Sequence, residues 1–330
     1  MISTKIHANL GKSSWIRAMF EEGEKLRQKY GSENVFDFTL GNPDPEPPTP
    51  VKQALKSIVA SDVPGIHKYM NNAGFSDVRE AVAQKLKEET SIPIGKDNII
   101  MTCGAAGGLN ITLKTILDPG DEVIVIAPYF VEYLFYIDNH GGVPVIINAD
   151  PTTFQLDLEA LEKGITANTK AIILNSPNNP TGIVYSKEIL NELNELIVNK
   201  GREFNSHIYV ISDEPYSKLI YDDIELPSIL NIFDNAIVVN SFSKSLALPG
   251  ERIGYAVVSP RADDAQLLID GLVFSNRILG YVNAPALFQK VIARSLDSQV
   301  EVESYRNKRD ILYDYFCEFG FECITGVQTC

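Results

Sequence analysis

Strand-length apolar runs alternate with helical stretches through most of this 330-residue chain, and that alternation restricts the fold more than any other feature. The runs fall at 98–102, 122–127, 143–147, 171–174, 208–211, 236–239 and 253–258. Continuous apolar strands separated by helices need cover on both faces, which implies an α/β layer around a largely parallel sheet. Phe75 to Glu89 is one intervening helix, with Phe75, Val78, Val82 and Leu86 along a single face. Asp118-Pro119-Gly120-Asp121 is a turn by its chemistry. From about Asp263 the strands give way to helical patterns, so a crossing into a second, smaller domain is expected. The Pro-rich stretch Asn42 to Pro50 is the candidate connector.

Polar clusters stand just after four of these strands: Gly104 to Gly108, Asn179, Asp213, and Ser241 to Lys244. In open α/β sheets ligands bind outside the carboxyl ends of the strands, so four clusters on one rim predict a site. Each has an ordinary alternative reading as a turn, and their weight comes from coincidence. A lysine amine titrates near 10.4 and is a poor nucleophile until burial or a neighbouring cation lowers that value; Lys244 at a strand end can be so placed. Ser241, Ser243 and Arg252 are suitable donors for a phosphate dianion. Asp213 can keep a heterocyclic nitrogen protonated, and the Tyr216 phenol can bond an adjacent oxygen. Asn179, between rigid turn residues, offers both donor and acceptor. Gly104-Ala105-Ala106-Gly107-Gly108 opens a helix, whose free N–H groups and dipole suit a phosphate. Its spacing is not that of a dinucleotide fingerprint.

Composition narrows the classes further. A net charge of −14 and a pI near 4.8 argue against nucleic acid as a partner, because phosphate backbones reward clustered Lys and Arg. No apolar run approaches a membrane span and no signal-peptide pattern opens the chain, so no membrane partner is expected. Cys103, Cys317, Cys323 and Cys330 form neither a disulfide framework nor a zinc spacing, which fits a reducing cytoplasm.

Ser-Pro-Asn-Asn-Pro-Thr-Gly at 176–182, Asp-Glu-Pro-Tyr at 213–216 and Ser-Phe-Ser-Lys at 241–244 with Gly-Glu-Arg-Ile-Gly-Tyr at 250–255 together resemble the class I/II pyridoxal-phosphate aminotransferases. Leu40-Gly41-Asn42-Pro43-Asp44, Tyr69 to Gly74 and Ala127-Pro128-Tyr129-Phe130 match further motifs of that family. The resemblance implies a three-layer α/β/α architecture of fold type I. It also implies an N-terminal arm with part of the small domain at 1–40, a large domain at 41–280, and a connecting helix with small-domain residues at 281–330. By similarity, Lys244 carries pyridoxal 5′-phosphate as a Schiff base and shuttles a proton. Asp213 pairs with the ring nitrogen, and Tyr216 and Asn179 bond the ring oxygen. Phe130 stacks on the ring, while Ala105, Ala106, Ser241, Ser243 and Arg252 hold the phosphate. Tyr69 resembles a tyrosine that reaches the phosphate of a neighbouring subunit, implying a homodimer with shared sites. Gly41 and Asn179 match positions close to the substrate. The implied reaction passes an amino group from an amino acid to a 2-oxo acid.

Two departures from the family pattern bear on substrate. No residue after Lys244 convincingly matches the small-domain arginine that clamps the substrate carboxylate; Arg309, the last arginine, sits in a helical pattern that reads as a connector. Phe319 to Cys323 looks like the start of the next strand, but 325–330 resembles translated adapter DNA, so a C-terminal truncation is expected. Ala106 stands where many aspartate-specific relatives carry a lysine, and Arg277 is an alternative partner for an acidic side chain. Aspartate or glutamate is the donor expected from family frequency. The rival readings are a carbon–sulfur β-lyase on the same fold, a non-catalytic regulator, and an inactive cofactor-binding fragment. The residues before Gly41 are too few and too acidic for a fused DNA-binding motif.

Overall fold

A computed structural model describes residues 2–36, 38, 41–61 and 64–323, with backbone only at 11–18 and 20. Leu40 and the stretch 325–330 therefore lie outside the described residues. The chain forms two compact units, Met1–Asn42 and Pro43–Cys330. In the first, helix α1 (Thr4–Tyr30) starts where the Ser3 hydroxyl accepts from the Ile6 N–H at 3.4 Å. A 3₁₀ turn, Ser32–Asn34, follows it.

The second unit opens with α2 (Thr49–Val59) and α3 (Ser76–Thr90), then alternates strand and helix. The order is β1 (Ile99–Thr102), α4 (Gly104–Ile116), β2 (Glu122–Ala127), α5 (Glu132–Asn139), β3 (Val143–Asn148) and α6 (Leu158–Gly164). It continues through β4 (Thr169–Asn175), α7 (Lys187–Phe204), β5 (Tyr209–Asp213), α8 (Ile229–Ile232), β6 (Ala236–Ser241), α9 (Phe242–Ser245) and β7 (Gly254–Val258). Helices α10 (Ala265–Ile278), α11 (Ala286–Ala293) and α12 (Val302–Glu318) close it. Every apolar run singled out in the sequence is a strand.

The strands form one sheet in the order β1-β7-β6-β5-β4-β2-β3. Neighbours among β2 to β6 pair in parallel, and β7 runs antiparallel to both β1 and β6. The carboxyl ends of β1, β2, β4, β5 and β6 therefore share one rim. Because successive strand residues point to opposite faces, each run feeds two cores. Ile99, Met101, Ile124, Ile126, Ile172 and Val238 join the cluster under α2, α3, α6, α7 and α11. Ile100, Val123, Val125, Ile173, Ile237 and Val239 join the cluster under α4, α5 and α10. This is the three-layer α/β/α arrangement. Each of these side chains contributes about 1.5–3 kcal/mol by leaving water. Helix α4 lies close to the sheet because Gly108 has no side chain: a Cβ there would come within 2.4 Å of Val239 Cγ1.

Candidate active site

The shared rim encloses a cavity of about 230 Å³. Ala105, Ala106, Phe130, Asn179, Asp213, Tyr216, Ser241, Ser243, Lys244 and Arg252 all line it. These come from five separate segments, so the sheet topology does the gathering. Asp213 ends β5, Ser241 ends β6, and Lys244 sits in α9 immediately after β6. Ala105 and Ala106 occupy the first turn of α4 after β1, and Phe130 follows β2.

Asp213 is buried, and its two oxygens are treated differently. Oδ2 accepts a 2.7 Å hydrogen bond from the Tyr133 hydroxyl. Oδ1 is buried without a partner. Burial pushes the carboxyl up to about 6, while the Tyr133 bond works in the opposite direction. Burial, and then the Asp213 charge, raise the Tyr133 phenol well above its ordinary range, so it stays a donor. Asn175, at the end of β4, ties the neighbouring segments: its Nδ2 donates to the Asp213 carbonyl at 2.8 Å, and its Oδ1 accepts from the Asn179 N–H at 2.6 Å. The Asn179 side chain then donates to the Tyr216 hydroxyl at 3.4 Å. Lys244 Nζ lies 6.0 Å from the centroid of the Tyr216 ring.

Where α4 opens, the backbone of Gly104 has φ +70, in the left-handed region that favours glycine. A Cβ on Gly104 would sit 3.0 Å from Arg252 Nη2, so the guanidinium lies against the opening of α4. Arg252 itself is left-handed, with φ +51, and its Nη1 donates to the Pro249 carbonyl at 2.9 Å. Helix N-terminal amides, two serines and a guanidinium around one space make an anion cradle. The orphan carboxylate oxygen of Asp213 in the same lining calls for a cationic or N–H donor. A protonated heterocycle carrying a phosphate meets both demands.

Sequence reasoning passed over three polar residues of this wall. Tyr133 lies three positions after Phe130, edge-on to it with centroids 5.5 Å apart, and Tyr136 is one helical turn further on. Asn175 is the third. The signal for the tyrosines was the helical spacing after Phe130, which aims both at one side. Beside Asp213, the Glu214 carboxyl is pushed up to about 7 by burial, against a 2.8 Å bond from the Ser212 hydroxyl.

Tyr69 is 92% exposed and is no part of this wall. Gly41 belongs to the Met1–Asn42 unit. Arg277 is exposed and stacks on Phe274 at 5.2 Å. Arg309, in α12, pairs with Asp222 at 2.9 Å and stacks on Tyr221 at 4.8 Å. Among the described residues no helix is long and apolar enough to cross a membrane, and no group of His, Cys, Asp and Glu is placed to hold a metal.

Comparison with known proteins gives a consistent result. The family profile described as "Aminotransferase class I and II" matches residues 33–329. A probable aspartate/prephenate aminotransferase of Thermus aquaticus is 35% identical over 306 residues, covering 91% of this chain and 76% of its own length. A crystal structure of an amino transferase from Eubacterium rectale superposes with a TM-score of 0.93 at 39% identity, covering 98% of this chain and 82% of that one. The Thermus thermophilus aspartate aminotransferase with maleate superposes with a TM-score of 0.81 at 32% identity, over 95% of this chain and 79% of that one.

Proposed function

This chain belongs to the class I and II aminotransferases and acts on small-molecule amino acids and 2-oxo acids, and from that premise we propose that Lys244 anchors pyridoxal 5′-phosphate in the rim cavity. The observation that carries this reading is the buried, partnerless Oδ1 of Asp213, a residue that lines the same cavity as Lys244 and the first turn of α4. When bound, pyridoxal phosphate supplies an electron sink for the bonds at the substrate's Cα.

The chain's own residues supply the rest. Asp213, held by Tyr133, would face the ring nitrogen and keep it protonated. Phe130 would cover the ring, and Tyr216 and Asn179 would bond its phenolic oxygen. The amides of Ala105 and Ala106, the hydroxyls of Ser241 and Ser243, and Arg252 would hold the phosphate. Lys244 Nζ would take the proton from the substrate's Cα, and Tyr216, whose ring centroid lies 6.0 Å from Nζ, would orient the amine. In the net reaction the amino group of one amino acid is exchanged for the keto oxygen of a second 2-oxo acid, so the two carbon skeletons swap oxidation levels and no outside oxidant is needed. A dicarboxylic donor, aspartate or glutamate, is supported by the relatives' names and by the maleate complex of one of them. The exposure of Tyr69 supports a homodimer in which it reaches the partner's phosphate.

The test is direct. Purified protein titrated with pyridoxal phosphate should gain visible absorbance that Lys244→Ala abolishes. With aspartate and 2-oxoglutarate it should form glutamate. An S-substituted cysteine that loses its thiol and yields pyruvate and ammonia without an acceptor would instead identify a β-lyase.

A further inference from the structure

The segment carrying Tyr69 is fastened inside its own chain by buried carboxamides that the catalytic cavity does not use. Gln289, on α11, has no exposed surface. Its Oε1 accepts from the Phe75 N–H at 2.9 Å. Its Nε2 donates to the Ala284 carbonyl at 2.9 Å and to Met70 Sδ at 3.1 Å. From α10, Asn276 is 1% exposed and donates to the Asn72 carbonyl at 2.9 Å. Asn72 in turn donates to the Val282 carbonyl at 2.8 Å. Val282 has φ +65, a strained value for a β-branched residue that persists only where the surroundings enforce it.

The stretch from Met70 to Phe75 is thus pinned to two helices and a strained loop. Its Ala73 carbonyl also accepts from the Met101 N–H of β1 at 2.9 Å. Yet the residue just before it, Tyr69, is an aromatic left 92% exposed. Satisfied buried networks rigidify what they hold. Here the rigidity ends in a side chain with little packing on its own protomer. We infer that Gln289, assisted by Asn276, is a positioning residue for Tyr69 and acts on the cofactor site of the partner subunit rather than on its own. This rests on the reading that two copies share sites through Tyr69.

Hybrid dimers separate the two cases. A Gln289→Leu chain is paired with a Lys244→Ala chain through different affinity tags. Lysine-linked cofactor absorbance then comes from one site alone. That site has the lysine of the Leu variant and receives Tyr69 from the chain with Gln289 intact. In the Gln289→Leu homodimer the half-saturating pyridoxal phosphate concentration should rise about tenfold, as for one lost hydrogen bond to a charged group. In the hybrid it should return to within about twofold of a wild-type/Lys244→Ala hybrid. Persistent weakness in the hybrid would mean that Gln289 acts within its own chain, and the inference would fall. A Tyr69→Phe/Lys244→Ala hybrid runs alongside. If it shows no recovery, the shared-site reading has failed; if it recovers while Gln289→Leu does not, only the Gln289 role has. Should Gln289→Leu not fold, Asn276→Ala removes a different hold on the same segment and must give the same recovery in the hybrid.

Discussion

The two rims of the sheet are built from the same strands and differ in what they leave unsatisfied. At the amino ends of β5 and β6 lies a cavity of about 410 Å³, larger than the 230 Å³ space at the carboxyl ends. Four of the side chains that line it are nevertheless paired with one another. His207 pairs with Asp263 at 2.8 Å, and Arg261 pairs with Asp234 at 2.8 Å. The orphan buried atom there is a neutral hydroxyl, Ser206 Oγ. The carboxyl rim holds instead a buried carboxylate with one oxygen unmet, next to the Lys244 wall. A group so costly to bury marks the working end better than volume does.

Lys244 gives the largest separation between the rims. Lys244→Ala should lower kcat by at least about 10²–10⁴-fold, the range for losing a positioned proton-transfer group, and should remove the visible absorbance of the loaded protein. Steady-state transamination with aspartate and 2-oxoglutarate measures it. Retained turnover would dissolve the contrast, since the carboxyl rim would then be no more chemical than the other.

Asp213→Asn sharpens it through two readouts of opposite sign. Turnover should fall about 10–100-fold, because a charge-assisted bond worth about 1.5–3 kcal/mol is lost. Stability of the cofactor-free protein should move the other way. The folded Asp213 titrates near 6, above its ordinary 3.8. The folded state therefore holds the extra proton between those values, so stability falls as pH rises through that window and the penalty persists above 6. Removing the carboxylate should erase as much as about 3 kcal/mol of that penalty. Glu214, raised to about 7 by burial, has the same sign and should leave a residual slope in the variant. Thermal melts between pH 4 and pH 8 decide it; identical slopes in both proteins would mean Asp213 is ionised throughout.

Tyr133→Phe is the intermediate case. It strips the partner from Oδ2 and leaves both oxygens of Asp213 unmet. Because the phenol bond holds the Asp213 value down, its loss should raise that value further. The acid limb of kcat/KM should shift to higher pH, and turnover should drop about tenfold, as for one lost bond of about 1–1.5 kcal/mol. A pH–rate profile measures both, and an unmoved acid limb would detach Tyr133 from the chemistry.

These residues also mark how far the sequence could be read. The seven strands were legible because apolar runs have strand length, and the rim was legible because polar clusters follow strands. An apolar run carries no direction, however, so 253–258 gave no sign that β7 would run antiparallel. Tyr133 stands 80 positions from Asp213 and meets it only through the order of the sheet. Asn175 directly follows the apolar run 171–174, and its bonds to Asp213 and Asn179 need the register of β4 on β5. Glu214 read as part of an acidic turn; its enclosure is a property of the packing around it.

His207→Ala at the amino rim is the smallest expected effect and the control for the comparison. The His207–Asp263 pair is mostly exposed, with side chains at 61% and 58% of full accessibility, so solvent screens it. Exposed pairs of this kind contribute about 0.2–1 kcal/mol. For a protein of this size that corresponds to a shift of only about 2–4 °C in melting temperature at the upper end. Since no wall of the cofactor cavity touches this pair, kcat and KM should stay within about twofold of wild type while the melt moves slightly. Asn235 also donates to Asp263, at 3.1 Å, and would hold the carboxylate in place after the imidazole is gone. A large fall in turnover at unchanged stability would show that the amino rim communicates with Asp213 along β5, and the contrast between the rims would have to be redrawn as a coupling.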